Sequence, residues 1–125
     1  MRLGLLTLLL LSVCPADQQD AIKPHQKIAL FNGKDLTGWY TWTRDNKYED
    51  PKKVFSVVGG HLRISGEEWG GIATKNMYRD YHLIVEWKWG GPTHGDRKMK
   101  ARDSGILVHG VGEDGAYSNT WLESV

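Results

Sequence analysis

The chain has 125 residues, 16 lysines and arginines against 15 aspartates and glutamates, a net charge of +1 and one cysteine. That balance leaves no basic footprint for nucleic acid or an anionic membrane, and a lone cysteine excludes an intrachain disulfide or a multi-cysteine metal site. Six tryptophans, five tyrosines and fifteen glycines suit strands, glycine turns and aromatic faces able to lie against flat, polar-edged ligands such as sugars.

In chain order, Met1-Arg2, an apolar run over residues 3–13 and Cys14-Pro15-Ala16 form the basic start, hydrophobic centre and small-residue cleavage site of a signal peptide, residues 1–16. The run falls short of the roughly 20 residues a permanent span needs, so an exported protein without a transmembrane segment is expected. A lipid anchor at Cys14 is the second reading; the bulk of Val13 favours ordinary cleavage after Ala16. Residues 17–27 are polar and aperiodic, a flexible lead, and residues 28–125 form one domain.

Residues 28–31 predict a short strand ended by Asn32-Gly33, and residues 43–53, with Asp50-Pro51, a surface loop. Two β-rich runs, 54–58 and 61–65, flank Gly59-Gly60, the two-residue connection of a hairpin with a primed turn. Residues 70–75 predict another strand. Residues 81–89 alternate over a long stretch: Tyr81, Leu83, Val85, Trp87 and Trp89 share one face, expected to be core, while His82, Ile84, Glu86 and Lys88 share the other, expected to meet solvent or line a polar cleft. A loop at 90–100 and a last strand at 104–109 follow. No helix of useful length is predicted, and short strands between turns point to an all-β sandwich or jelly roll.

Three segments, LFNGKDLTGW at 30–39, FSVVGGHLRISG at 55–66, and RDYHLIVEWKW at 79–89 followed by DSGILVHG at 103–110, together resemble the 3-keto-disaccharide hydrolase family (3-keto-glucoside lyase and hydratase). The resemblance implies a concanavalin A-like β-sandwich, truncated here at its C-terminus because family members continue through further strands beyond residue 125. It also implies a reaction. A ketone on the sugar acidifies the neighbouring C–H, a base removes that proton, the glycosidic oxygen leaves, and water adds back. Many members carry Asn-Ser-Gly and then an arginine where this chain has Asp103-Ser104-Gly105 and His109, so that arginine's role does not carry over.

Such chemistry needs a base, a donor or cation for the enolate and an acid for the leaving oxygen. His109, at a strand end, carries an imidazole, the side chain most suited to act as base or metal ligand, and is the first candidate for either role; Glu86 and Asp103 are the other catalytic candidates. His82 and Lys88 on the polar face, Arg102 as a hydroxyl or enolate clamp, and Trp121 with Glu123 near the end are candidate substrate contacts, Trp121 as a stacking surface. The cofactor stays open: a divalent ion would polarise the ketone if histidines and carboxylates converged from separate strands, but the sequence has no compact ligand motif. The alternative to an enzyme is a carbohydrate-binding module, and a scaffolding sandwich comes third.

Overall fold

The computed structural model describes residues 20–125; the signal peptide and Cys14 lie outside the described residues. Among the described residues four short strands carry the fold, β1 (Trp39–Thr43), β2 (Phe55–Val58), β3 (His61–Ile64) and β4 (Gly70–Thr74), with one 3-10 turn at Gly95–Arg97. The chain is all-β, and among the described residues no helix is long and apolar enough to cross a membrane.

β2 and β3 form the expected hairpin, with Val58 opposite His61 and Phe55 opposite Ile64. Gly59 and Gly60 take φ values of +57° and +78°, the pair of left-handed residues a primed turn demands and that glycine adopts without steric cost. β1 and β4 pair antiparallel, from Trp39 opposite Thr74 to Thr43 opposite Gly70. The segment around Trp39 and Trp42 forms one strand of this second pair.

The LFNGKDLTGW motif builds the approach to β1. The Asn32 side-chain oxygen accepts from the Lys34 and Asp35 amides at 2.8 and 3.0 Å, Asp35 accepts from the Thr37 amide at 2.9 Å, and the Trp39 indole donates to the Leu30 carbonyl at 2.8 Å. The strand expected at 28–31 does not form: the Leu30 carbonyl is taken by the Trp39 indole, and Asn32 and Asp35 cap the amides of the loop that follows.

Val54 and Phe55 are the buried apolar residues, joined by buried Thr43 and Thr120. Asp50 holds the entry to β2 by accepting from the Val54 and Phe55 amides, each at 2.8 Å. The Glu68 carboxylate, with its side chain only 2% exposed, accepts from the Asp45 amide at 2.8 Å and the Asn46 amide group at 3.1 Å, and pairs with Lys52 at 3.2 Å. Burial by itself opposes ionisation of Glu68, but these donors and the Lys52 charge outweigh it and hold the carboxyl below its ordinary range. Replacing Glu68 with Ala is expected to cost about 1–3 kcal/mol, because the Asp45 and Asn46 donors lose their acceptor; a denaturant midpoint equal to that of the parent would contradict it. Since the folded pKa is lowered, the contribution is present above the unfolded value near 4.5 and is lost as pH falls through the folded one.

Two expected strands are corrected. Residues 81–89 and 104–109 lie outside every sheet, and among the described residues no backbone hydrogen bond ties 81–89 to another segment. The supposed core face is open: Val85 is 46%, Trp87 63% and Trp89 46% exposed. Alternation assigns side chains to faces but supplies no ladder partner, and an extended run without one keeps its backbone hydrogen-bonded to water. Ile22, within the lead, pairs in parallel with Tyr78, its amide donating to the Met77 carbonyl at 2.8 Å.

Candidate functional site

The β1–β4 ladder fixes where an aromatic cleft forms. Tyr40 and Trp42, two residues apart, share one face of β1, and Trp42 stands opposite Gly71 on β4, so the two point to the same side. Having no side chain, Gly71 leaves room there: a Cβ at that position would lie 3.9 Å from the Trp121 Cβ. Trp121 therefore rests on the sheet beside Trp42.

Trp121 arrives on an irregular hairpin. Val108 and Val125 exchange backbone hydrogen bonds at 3.0 Å, Val111 donates to the Glu123 carbonyl at 2.9 Å, and Tyr117 donates to the Trp121 carbonyl at 3.0 Å. Ser118 and Asn119, with φ of +51° and +55°, reverse the chain between Tyr117 and Thr120, a conformation asparagine tolerates better than most residues. The reversal stacks the Tyr117 and Trp121 rings at 5.7 Å and 16°, and Trp69, just before β4, lies 6.0 Å from Trp121 at 43°.

These three rings, with Arg44, Asp96 and Asp103, line an open cleft of about 400 Å³, completed by Ser118 and Thr120. Arg44 is carried in by β1, because its amide donates to the Trp69 carbonyl at 2.8 Å and extends the β1–β4 pairing by one step. Asp103 is oriented by Arg97, whose guanidinium lies 3.6 Å from the Asp103 carboxylate and donates to the Ala101 carbonyl at 2.6 Å. Aromatic faces beside carboxylates, a guanidinium and hydroxyls are the chemistry that holds a sugar: the apolar ring face lies on the aromatics while hydroxyls meet the polar rim.

Of the expected site residues, Asp103 and Trp121 line this cleft. Arg102 is committed elsewhere, donating to the Gly90 and Gly91 carbonyls at 2.8 and 2.7 Å. His82 lines a separate hollow with His25, Asp80 and Ile84. Glu86, Lys88, His109 and Glu123 are exposed and do not line the cleft; His109 takes a left-handed φ of +53°. Among the described residues no three His, Cys, Asp or Glu side chains gather as a metal site would require. The sequence reading missed Arg44, Trp69, Asp96 and Tyr117. The signal for Tyr117 was present in YSNTW, a turn pair bracketed by aromatics; Arg44 and Trp69 needed the β1–β4 register.

At the edge of the same face, the Asp114 carboxylate accepts from the Tyr40 hydroxyl at 3.1 Å and from the Tyr48 hydroxyl at 2.9 Å. Burial, then the Asp114 charge and its hydrogen bond, push the Tyr40 hydroxyl up to about 12. Tyrosinate absorbance followed against pH is expected to show one late-titrating tyrosine near that value. With the folded pKa raised, Tyr40 contributes stability fully below about pH 10, and that contribution fades as pH rises through about 12. Completion of every tyrosine titration by pH 10.5 would refute it.

The sequence profile of the 3-keto-alpha-glucoside-1,2-lyase-like domain family matches residues 26–124, the family that the three sequence segments resemble. No curated protein and no solved structure matches the chain.

Proposed function

The chain belongs to the 3-keto-alpha-glucoside-1,2-lyase-like domain family, and from that premise we propose that it is an exported enzyme that cleaves 3-keto-glycosides by elimination and hydration, using the cleft between Trp121, Trp69 and Asp103. The observation that carries this reading is that Asp103, expected to be a catalytic carboxylate, lines the same cleft as the aromatic rings. Export rests on the signal-like residues 1–16.

In this scheme the sugar ring lies against Trp121. Asp103 takes the proton from the carbon between the ketone and the anomeric centre, and the C–H electron pair becomes the enolate. Arg44, just past the end of β1 and also in the cleft lining, balances the charge that develops on the ketone oxygen. The enolate then collapses, the glycosidic C–O bond breaks and the leaving oxygen takes a proton. Addition of water across the new double bond restores the 3-keto sugar, so the sum is hydrolysis. Asp96 is the second carboxylate of the cleft and the candidate acid for the leaving oxygen.

The test is incubation of the protein with a 3-keto-disaccharide and with the same disaccharide unoxidised, following free sugar. Release from the keto substrate alone is expected, since without the ketone the C–H is not acidic. Binding of either sugar without release would instead assign a carbohydrate-binding module. His109→Ala and Glu86→Ala belong in the same assay, because a large loss in either would move the base out of the cleft. No step here passes through a metal, since the described donors do not converge; loss of turnover in excess chelator, restored by a divalent ion, would add one.

A further inference from the structure

The loop that carries Tyr117 and Trp121 is fastened to the sheet by side chains outside the cleft. Besides the two tyrosine hydroxyls on Asp114, the Lys47 ammonium donates to the Asn119 side chain at 2.7 Å and sits 4.8 Å from the centre of the Trp42 ring. Tyr48 meets Trp42 edge-on at 4.9 Å. Gly115 brings the loop backbone down onto Trp42: with φ at +82°, a Cβ there would lie 2.8 Å from the indole Cζ2. Tyr40 comes from β1, whereas Lys47 and Tyr48 come from the turn that follows it, where Thr43 and Lys47 exchange backbone hydrogen bonds.

We propose that Asp114 is a positioning residue, a carboxylate clasp that seats loop 113–121 on β1 and so presents Trp121 and Tyr117 as the sugar-stacking surface of the cleft. The inference rests on the reading of that cleft as a carbohydrate site. Asp114 does not line the cleft; it acts through the two aromatic residues three and seven positions further along. One carboxylate that accepts from two hydroxyls on different segments joins three pieces of chain at a point. Hydrogen bonds to a charged acceptor are about twice as strong as neutral ones, so the clasp offsets part of the entropy lost in ordering an otherwise exposed loop.

The test uses Asp114→Ala, Asp114→Asn and Tyr48→Phe, with two readouts. The first is the near-ultraviolet dichroism of the stacked Tyr117–Trp121 pair, taken against the far-ultraviolet signal of the strands; the second is the affinity for a 3-keto-disaccharide, with turnover at saturation. Asp114→Ala is expected to lose the stacked-ring signal while keeping the strand signal, and to raise Kd about tenfold, the effect of losing roughly 1.4 kcal/mol. Asp114→Asn, which keeps one acceptor oxygen, should fall between, and both should leave turnover at saturation within about twofold, as befits a residue that positions the ring surface. Should Asp114→Ala fail to fold, Tyr48→Phe removes one hydrogen bond from an exposed ring and should still weaken both readouts. An unchanged ring signal and affinity in all three variants overturns the clasp. A parent protein that binds no sugar overturns the carbohydrate reading instead, and the ring signal then judges the clasp alone.

Discussion

Asp103→Asn is expected to lower turnover of a 3-keto-disaccharide by about 10²–10⁴-fold while changing its affinity little, because general-base catalysis contributes on that scale and the amide keeps the size and shape of the carboxylate. Asn cannot accept a proton from carbon, and it forfeits the ion pair with Arg97, whose guanidinium lies 3.6 Å from the Asp103 carboxylate, but that pair is exposed and contributes little to stability. The cleft should therefore keep its form. Trp121→Ala is the complementary variant. Removing the ring that rests on Gly71 and stacks on Tyr117 takes away binding surface and should weaken affinity about 5–30-fold, given the roughly 1–2 kcal/mol of a partly buried side-chain contact. A pre-steady-state measurement separates the two: loss of the chemical step in one, loss of binding in the other. Undiminished turnover by Asp103→Asn would remove it as the base.

Gly70→Val is expected to destabilise the fold by about 1–3 kcal/mol or more, the range for overpacking a close-packed site. Gly70 opposes Thr43 in the β1–β4 ladder, and any Cβ there would collide with the Trp42 carbonyl oxygen, a backbone atom that cannot swing aside. Relief requires β4 to slide or the ladder to open at the end that carries Arg44 and Trp69. The variant should thus unfold at lower denaturant and also lose sugar affinity, two effects from one methyl-bearing carbon. Gly90→Ala is the control, since nothing lies within 4 Å of a Cβ at that position. Equal midpoints for Gly70→Val and the parent would show that the ladder yields more easily than its geometry implies.

The fold was legible where local rules decide it. Gly59-Gly60 announced the β2–β3 hairpin because a primed turn depends on the two residues within it. Residues 81–89 gave the strongest alternation in the chain and no sheet, since pairing needs a second segment that periodicity cannot see. The site divides along the same line. Asp103 and Trp121, candidates by residue type, line the cleft; their chemical roles rest on the variants above. Arg44 and Trp69 were not legible, because they meet only through the Arg44 amide and Trp69 carbonyl at the end of β1–β4. His109 and Glu86 are candidates on chemistry alone and lie outside this cleft.

Gly70 and Gly71 beneath the cleft, with Gly115 against Trp42 beside it, give its evolution a direction. At Gly70 and Gly115 an added carbon meets the Trp42 carbonyl or indole, while at Gly71 only the first carbon has room before the Trp121 side chain is reached. The floor can hardly gain side chains, so variation that retunes what the cleft accepts must accumulate on its rim, at exposed Arg44, Asp96 and Ser118. Related chains that differ in sugar preference would then keep the same floor and diverge around it.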